Sequence, residues 1–255
     1  MDDLSAESLL KELRAVDAER ARRATDPALE ARVQAVKAYQ QRRFAGTYAD
    51  LLANQRYEAA TRFFLHELYG PDDYRQRDAQ FARVIPTLTR LFPDEVIDTV
   101  ARLARLHALS ERLDTRMAEH LLSPELSAAE YAIAWRACGE PDARQQQIAL
   151  TMAVGEALDK LTRKPLLRQT LKLMRGPAQM AGLGALQSFL DHFRPRRIRL
   201  GLPGHGGPGS FFLSAASLLG GAGRGRLLLF HLRHRGRKNQ GRHHHRGKDL
   251  SHTSP

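Results

Sequence analysis

Apolar residues recur at three- and four-residue spacing along most of this chain, and each run is punctuated where a helix would start or stop. Leu9, Leu13 and Val16 predict a helix from about Ser5 to Ala24, and Asp26-Pro27 restarts the chain as N-cap and first helical residue. Leu29, Val33, Val36 and Tyr39 form the stripe of a second helix. Gly46 is expected to end it, with Thr47 capping a short segment through Leu51 and Leu52. Tyr57, Ala60, Phe64 and Leu68 share an arc of a helix from about Arg56 to Tyr69, which Gly70-Pro71 stops. The next, about Tyr74 to Leu91, contains Pro86, which should kink or divide it. Pro93-Asp94 opens a long helix to about Leu122. Further helices are expected over Ala128 to Ala137, Asp142 to Leu161, Leu166 to Met174, and from Gly176-Pro177 to about His192. No stretch alternates with period two as a strand would. The pattern predicts an all-α, multi-helix bundle of about seven to nine helices over residues 1–192.

On the long helix, Val96, Val100, Leu103, Leu106, Leu113, Met117 and Leu121 fall in one broad arc at 100° per residue. His107, Ser110 and Asp114 fall inside that arc, with Glu111 at its edge. His107 and Asp114 therefore stack on one face and are placed to share a proton, a metal ion or a water. The structural alternative is that these groups bond across to arginines or backbone of neighbouring helices, since buried polar groups require partners. The opposite arc carries Arg102, Arg105, Arg112 and Arg116. Asp98 and Glu119 are spaced to pair with Arg102 and Arg116, which reads as a solvated face more than as a nucleic-acid surface.

Charge alters the picture after residue 192. The formal net charge is +12, yet residues 1–192 hold 27 Lys and Arg against 27 Asp and Glu, whereas residues 193–255 hold 13 against 1. The same tail carries 12 of the 19 glycines and 7 of the 11 histidines, so it is read as a basic low-complexity segment, disordered or frameshifted. A genuine arm of this kind would bind phosphates without sequence preference. The out-of-frame reading draws on the excess of arginine over lysine, 33 to 7, which suggests GC-rich coding DNA, and on the break inside an amphipathic helix.

The segment Arg62 to Pro71, RFFLHELYGP, carries the most specific motif: an aromatic pair followed by a fixed helix stop. With Arg77-Asp78-Ala79, Ala82 to Pro86 and Met174 to Ala178, it resembles the bacterial FFLEELY-motif family of helical proteins without assigned function. The resemblance spans roughly residues 30 to 190 and implies a helical fold and no particular reaction. His66 stands where the family motif has Glu. Phe63 and Phe64 read as packing anchors, or Phe63, His66, Glu67, Tyr69 and Tyr74 line a binding groove.

Catalytic templates are missing from the sequence. No Glu-x-x-His, His-Glu-x-x-His, Gly-x-Ser-x-Gly or phosphate-loop pattern occurs. The single cysteine, Cys138, excludes an internal disulfide and a multi-cysteine zinc site, and reads as a small buried apolar residue. No cofactor and no metal ligand set is expected. The acidic start, MDDLSAESLL, lacks the basic region of a secretory signal, and no run approaches the roughly 18 apolar residues of a membrane span. The expectation is a cytoplasmic helical binding or scaffolding protein acting on a protein partner or a second copy of itself. One alternative is association with nucleic acid through the tail. Another is a metal-dependent enzyme or sensor built on His107, Glu111 and Asp114.

Overall fold

The computed structural model describes residues 5–55, 58–63, 65–66 and 73–162, with scattered positions between 164 and 183. The helices expected over 166–174 and 177–192, and the whole tail, lie outside the described residues or are represented by isolated positions. The described elements are α1 (Ala6–Ala24), α2 (Pro27–Thr47), α3 (Ala49–Ala53), α4 (Glu58–Phe63), α5 (Arg75–Leu91), α6 (Asp94–Glu119), α7 (Ala128–Ala137) and α8 (Pro141–Thr162). No strand occurs among them, and the fold is all-α.

Local chemistry sets most helix ends. Ser5 accepts the Ser8 amide at the start of α1, and Asp26 accepts the Leu29 amide at the start of α2 with Pro27 just inside. Ser127 and Glu130 form a reciprocal capping box on α7, and Gly139, at φ 64°, takes the left-handed residue beyond its end. Two expected breaks fall elsewhere. Gly46 lies inside α2. Thr47, instead of capping the next segment, donates its hydroxyl back to the Arg43 carbonyl at 2.8 Å. The chain turns at Tyr48, whose ring packs 4.8 Å from that of buried Phe44. Pro86 does not divide α5, which runs unbroken from Arg75 to Leu91. Its ring is exposed, while Ile85 beside it is fully buried with Phe81 and Leu88 packed around it, so tertiary contact outweighs the missing backbone bond.

Helix α6 is the axis of the body, in contact with α1, α2, α5, α7 and α8. Near its N-terminal end, Ile97 and Ala104 join Leu9 and Leu13 of α1 and Ile85 of α5 in one apolar core. Near its C-terminal end, Met117, Ala118 and Leu121 join Leu29, Val33 and Val36 of α2 and Tyr131, Ala134 and Cys138 of α7 in another. Cys138 is thus a buried apolar residue, 4% exposed. Because α6 is enclosed from several directions, its buried surface is wider than the expected arc. Thr99, Ala108, Glu111 and Thr115 are buried too, whereas Val96, Val100, Leu103 and Leu106 are half-buried. The stretch of α6 between the two cores, His107 to Thr115, carries the polar residues.

Candidate functional site

The polar layer assembles because two arginines of α1 occupy positions that continue an apolar stripe. On α1 the stripe of Leu9, Leu13 and Val16 proceeds at the same spacing to Arg20 and Arg23. Arg23 is 2% exposed, and every nitrogen of its guanidinium is engaged. Nε donates to Glu30 Oε2 at 2.9 Å, Nη1 to Thr115 Oγ1 at 2.8 Å, and Nη2 to Glu111 Oε2 at 2.8 Å. Arg20 bridges two acids, donating to Asp78 Oδ2 at 2.9 Å and to Glu111 Oε1 at 3.3 Å. Lys37 of α2 donates to Glu111 Oε1 at 2.8 Å. Glu111, 3% exposed, therefore meets three cations from two helices. It lies at the centre of the layer, not at the edge of the buried arc where the helical period put it.

His107 pairs with α5 instead of with its own helix. Its Nε2 lies 2.9 Å from Asp78 Oδ2, a carboxylate in the first turn of α5, so Nε2–H is the donor there. That tautomer makes the 3.4 Å approach of Arg20 Nη2 to the same nitrogen a contact and not a bond. Asp114 turns to α2 and accepts from Gln40 Nε2 at 3.1 Å. The stacking of His107 and Asp114 on one face of α6 thus does not bring them together: each is claimed by a different neighbouring helix. Glu111 is linked to His107 only by way of Arg20 and then Asp78.

These environments move the carboxyls apart. Burial pushes Glu111 upward, but the charges of Lys37, Arg23 and Arg20 outweigh it and hold the group at about 2. Asp78 behaves alike: burial raises it, and His107, Arg77 and Arg20 bring it below the usual aspartate range. At Asp114 burial wins, and its carboxyl is raised despite Lys37 and Arg144, with the Glu111 charge adding to the rise. Near neutral pH, Glu111 and Asp78 are fixed anions with their lone pairs occupied, which suits neither a general acid nor a general base. Among the described residues no group of three or more His, Cys, Asp and Glu is arranged to hold a metal ion.

Of the motif residues, Glu67 and Tyr69 and the side chain of Phe63 lie outside the described residues. His66 is exposed, and its carbonyl accepts the Tyr74 hydroxyl. Tyr74 is half-buried and carries the Arg77 guanidinium 4.1 Å from its ring centroid. Its neighbour Leu65 is buried, with its carbonyl accepting from Gln41 of α2 at 3.0 Å. On the opposite arc of α6, Arg102 pairs with Asp98 at 2.8 Å and Arg116 with Glu119 at 3.0 Å. Arg112 reaches Glu140 at 2.6 Å.

Sequence reasoning had not singled out Arg20, Arg23, Lys37 or Gln40. The readable signal was a long polar residue on a buried stripe, as at Arg20, Arg23 and, in register with Leu29, Val33 and Val36, at Gln40.

Residues 19–193 match the family described as Domain of unknown function (DUF8198). The chain belongs to the DUF8198 family. Every member of the polar layer, from Arg20 on α1 to Asp114 on α6, lies inside the DUF8198 match. The DUF8198 match begins within α1, so Ala6 to Ala18, with the core residues Leu9, Leu13 and Val16, precede it. It ends at residue 193, where the acidic residues all but cease. No curated protein and no solved structure matches the chain. Among the described residues no helix is long and apolar enough to cross a membrane.

Proposed function

We propose that the protein is a non-catalytic, cytoplasmic helical binding or scaffolding module whose partner is a protein, in the simplest case a second copy of itself. One observation carries this reading: the buried acids Glu111 and Asp78 are paired with cations, while large apolar side chains stand in water around α7. Leu122, on the connection between α6 and α7, is 102% exposed, and Ile133 on α7 is 58% exposed. Ala129, Ile133 and Ala137 recur every four residues on the outer side of that helix, opposite buried Tyr131, Ala134 and Cys138. Exposed apolar surface of this kind is favourable to cover. The resemblance of the RFFLHELYGP segment to the FFLEELY-motif family fits the same reading, because it implies a helical protein without an assigned reaction.

Light scattering on size-exclusion eluates tests this, with wild type compared to Leu122→Glu and Ile133→Glu. Concentration-dependent association in the wild type, lost in either variant at unchanged helicity, is the expected result. A wild type that stays monomeric across the concentration series and captures no protein through this face would overturn it.

A second reading belongs to residues 193–255, favoured by the coincidence of the family boundary with the change in charge. If the tail is the native product, its 13 basic residues bind polyanions such as nucleic acid. Resequencing the coding DNA around codons 185–200 decides this. Another frame that continues in a helical, charge-balanced sequence removes the reading.

A further inference from the structure

Helix α7 buries Tyr131, Ala134 and Cys138 in the core it shares with α2 and α6, and Ala129, Ile133 and Ala137 on its other side are exposed. At 100° per residue, Glu130 lies about 60° to one side of Ile133 and Arg136 about 60° to the other. An acid and a base therefore flank the apolar stripe, the acid in the first turn of the helix and the base in the last. Both are exposed, and neither has an ion-pair partner among the described residues. Glu130 Oε2 accepts the Ser127 amide at 2.8 Å, which leaves Oε1 for a cation. Glu140, four residues beyond Arg136, is taken by Arg112 at 2.6 Å and Arg116 at 3.7 Å.

The order of these residues is self-complementary. Glu130 stands three positions before Ile133 and Arg136 three after it, while Ala129 stands four before and Ala137 four after. Two copies of α7 laid antiparallel with Ile133 at the crossing bring Glu130 of each to the level of Arg136 of the other. Ala129 then faces Ala137, and these small side chains let the helix axes approach closely. Laid parallel, the same helices would set Glu130 against Glu130 and Arg136 against Arg136, like charge against like at both levels. The helix dipoles act in the same sense, since only the antiparallel arrangement puts the positive end of one helix beside the negative end of the other. We infer that α7 is a twofold, antiparallel pairing surface for a second copy of this chain, with Ile133 on the axis and a Glu130–Arg136 pair on each side of it. This pairing rests on α7 being the protein-binding face, and adds which partner it takes and in which direction. A ten-residue helix is about 15 Å long, so the contact is smaller than a standard interface and the dimer is weak and concentration-dependent.

Sedimentation equilibrium of the full chain at low salt compares wild type with Arg136→Glu and with the double exchange of Glu130→Arg and Arg136→Glu. The expected result is a wild-type dimer that weakens about tenfold in Arg136→Glu, where two pairs become two repulsions, and recovers in the double exchange. Recovery could not come from a better fold, because the double exchange sets both charges against the helix dipole. A second measurement needs no charge variant. Ala129→Cys and Ala137→Cys, mixed and treated with a short thiol cross-linker, should join to each other and neither to itself. Native Cys138 is 4% exposed, and wild type serves as the blank. The pairing is overturned by a dimer indifferent to Arg136→Glu, by a double exchange that stays monomeric at unchanged helicity, or by Ala129→Cys joining to itself. Should the double exchange lose helicity, the cross-linking pattern decides alone. A wild-type monomer that binds a different protein through Ile133 would overturn the pairing and leave the protein-binding reading standing, whereas a monomer that binds no protein removes both.

Discussion

Glu111 and Asp114 stand one helical turn apart on α6, both buried, and their surroundings drive their carboxyls in opposite directions. The difference lies in what faces them. Glu111 accepts from Arg20, Arg23 and Lys37, whereas the bond given for Asp114 comes from the neutral amide of Gln40. Glu111→Gln should therefore cost about 3–5 kcal/mol at neutral pH, because it leaves buried cations without their shared anion. Asp114→Asn keeps an acceptor for Gln40 and removes a charge that burial disfavours, so stability should change by less than about 1 kcal/mol or rise. Urea denaturation of the two variants checks this, and equal losses would contradict the account of the layer.

The acid limb of stability follows from the same groups. Glu111, ordinarily at 4.5, is held at about 2 in the folded chain, and Asp78 is lowered as well. A depressed carboxyl contributes stability that is whole above its unfolded value and is lost as pH falls toward its folded value. For Glu111 the contribution is on the order of 3 kcal/mol, and it should disappear between about pH 4.5 and 2. Asp114, being raised, has the opposite sign and gains relative stability as it protonates. Denaturation midpoints across this range should fall steeply for wild type and much less for Glu111→Gln.

The apolar core around α2 and α6 predicts a different scale of response from the arginine face. Val33 and Met117 are both fully buried in it. Met117→Ala should cost about 2–5 kcal/mol through lost burial and the cavity left behind. Arg102→Ala, which breaks an exposed pair with Asp98, should change stability by less than about 1 kcal/mol. Both are measurable in the same urea series.

Gly139 ends α7 at φ 64°, and a Cβ there meets no atom closer than the Ala137 carbonyl at 3.6 Å. Space is therefore not the obstacle to a side chain, but conformation is. Gly139→Ala should cost about 1–2 kcal/mol and Gly139→Asn distinctly less, since asparagine tolerates the left-handed region. Thermal melts of the two variants separate these causes.

Removing residues 193–255 should leave the unfolding midpoint of the body unchanged, because the family match stops at residue 193. The same truncation should abolish any salt-sensitive binding to heparin or single-stranded DNA, given 13 basic residues against 1 acidic one in that segment. Melts and binding isotherms at two salt concentrations test both halves. Polyanion affinity that survives truncation would move attention to Arg102, Arg105, Arg112 and Arg116.

Where helices begin, and which faces α1 and α2 bury, was readable locally. Ser5, Asp26-Pro27 and Ser127 act on amides within three residues, and the stripes of Leu9, Leu13, Val16 and of Leu29, Val33, Val36 need only the helical period. Cys138 followed from its solitude and its apolar setting. Gly46 does not end α2 and Pro86 does not divide α5, because local preference is worth only a few kcal/mol and buried Phe44 and Ile85 lie beside them. The partners in the polar layer were beyond local reading altogether. The helical period carries the stripe of Leu9, Leu13 and Val16 on to Arg23, but the bond from Arg23 to Glu111 joins residues 88 positions apart. That pairing depends on which helices lie alongside α6. The sequence alone therefore determined the helices and the buried stripes of α1 and α2, while the tertiary structure decided how wide the buried surface of α6 is, that His107 meets Asp78, and that Glu111 gathers three cations, because each depends on which helices lie alongside α6.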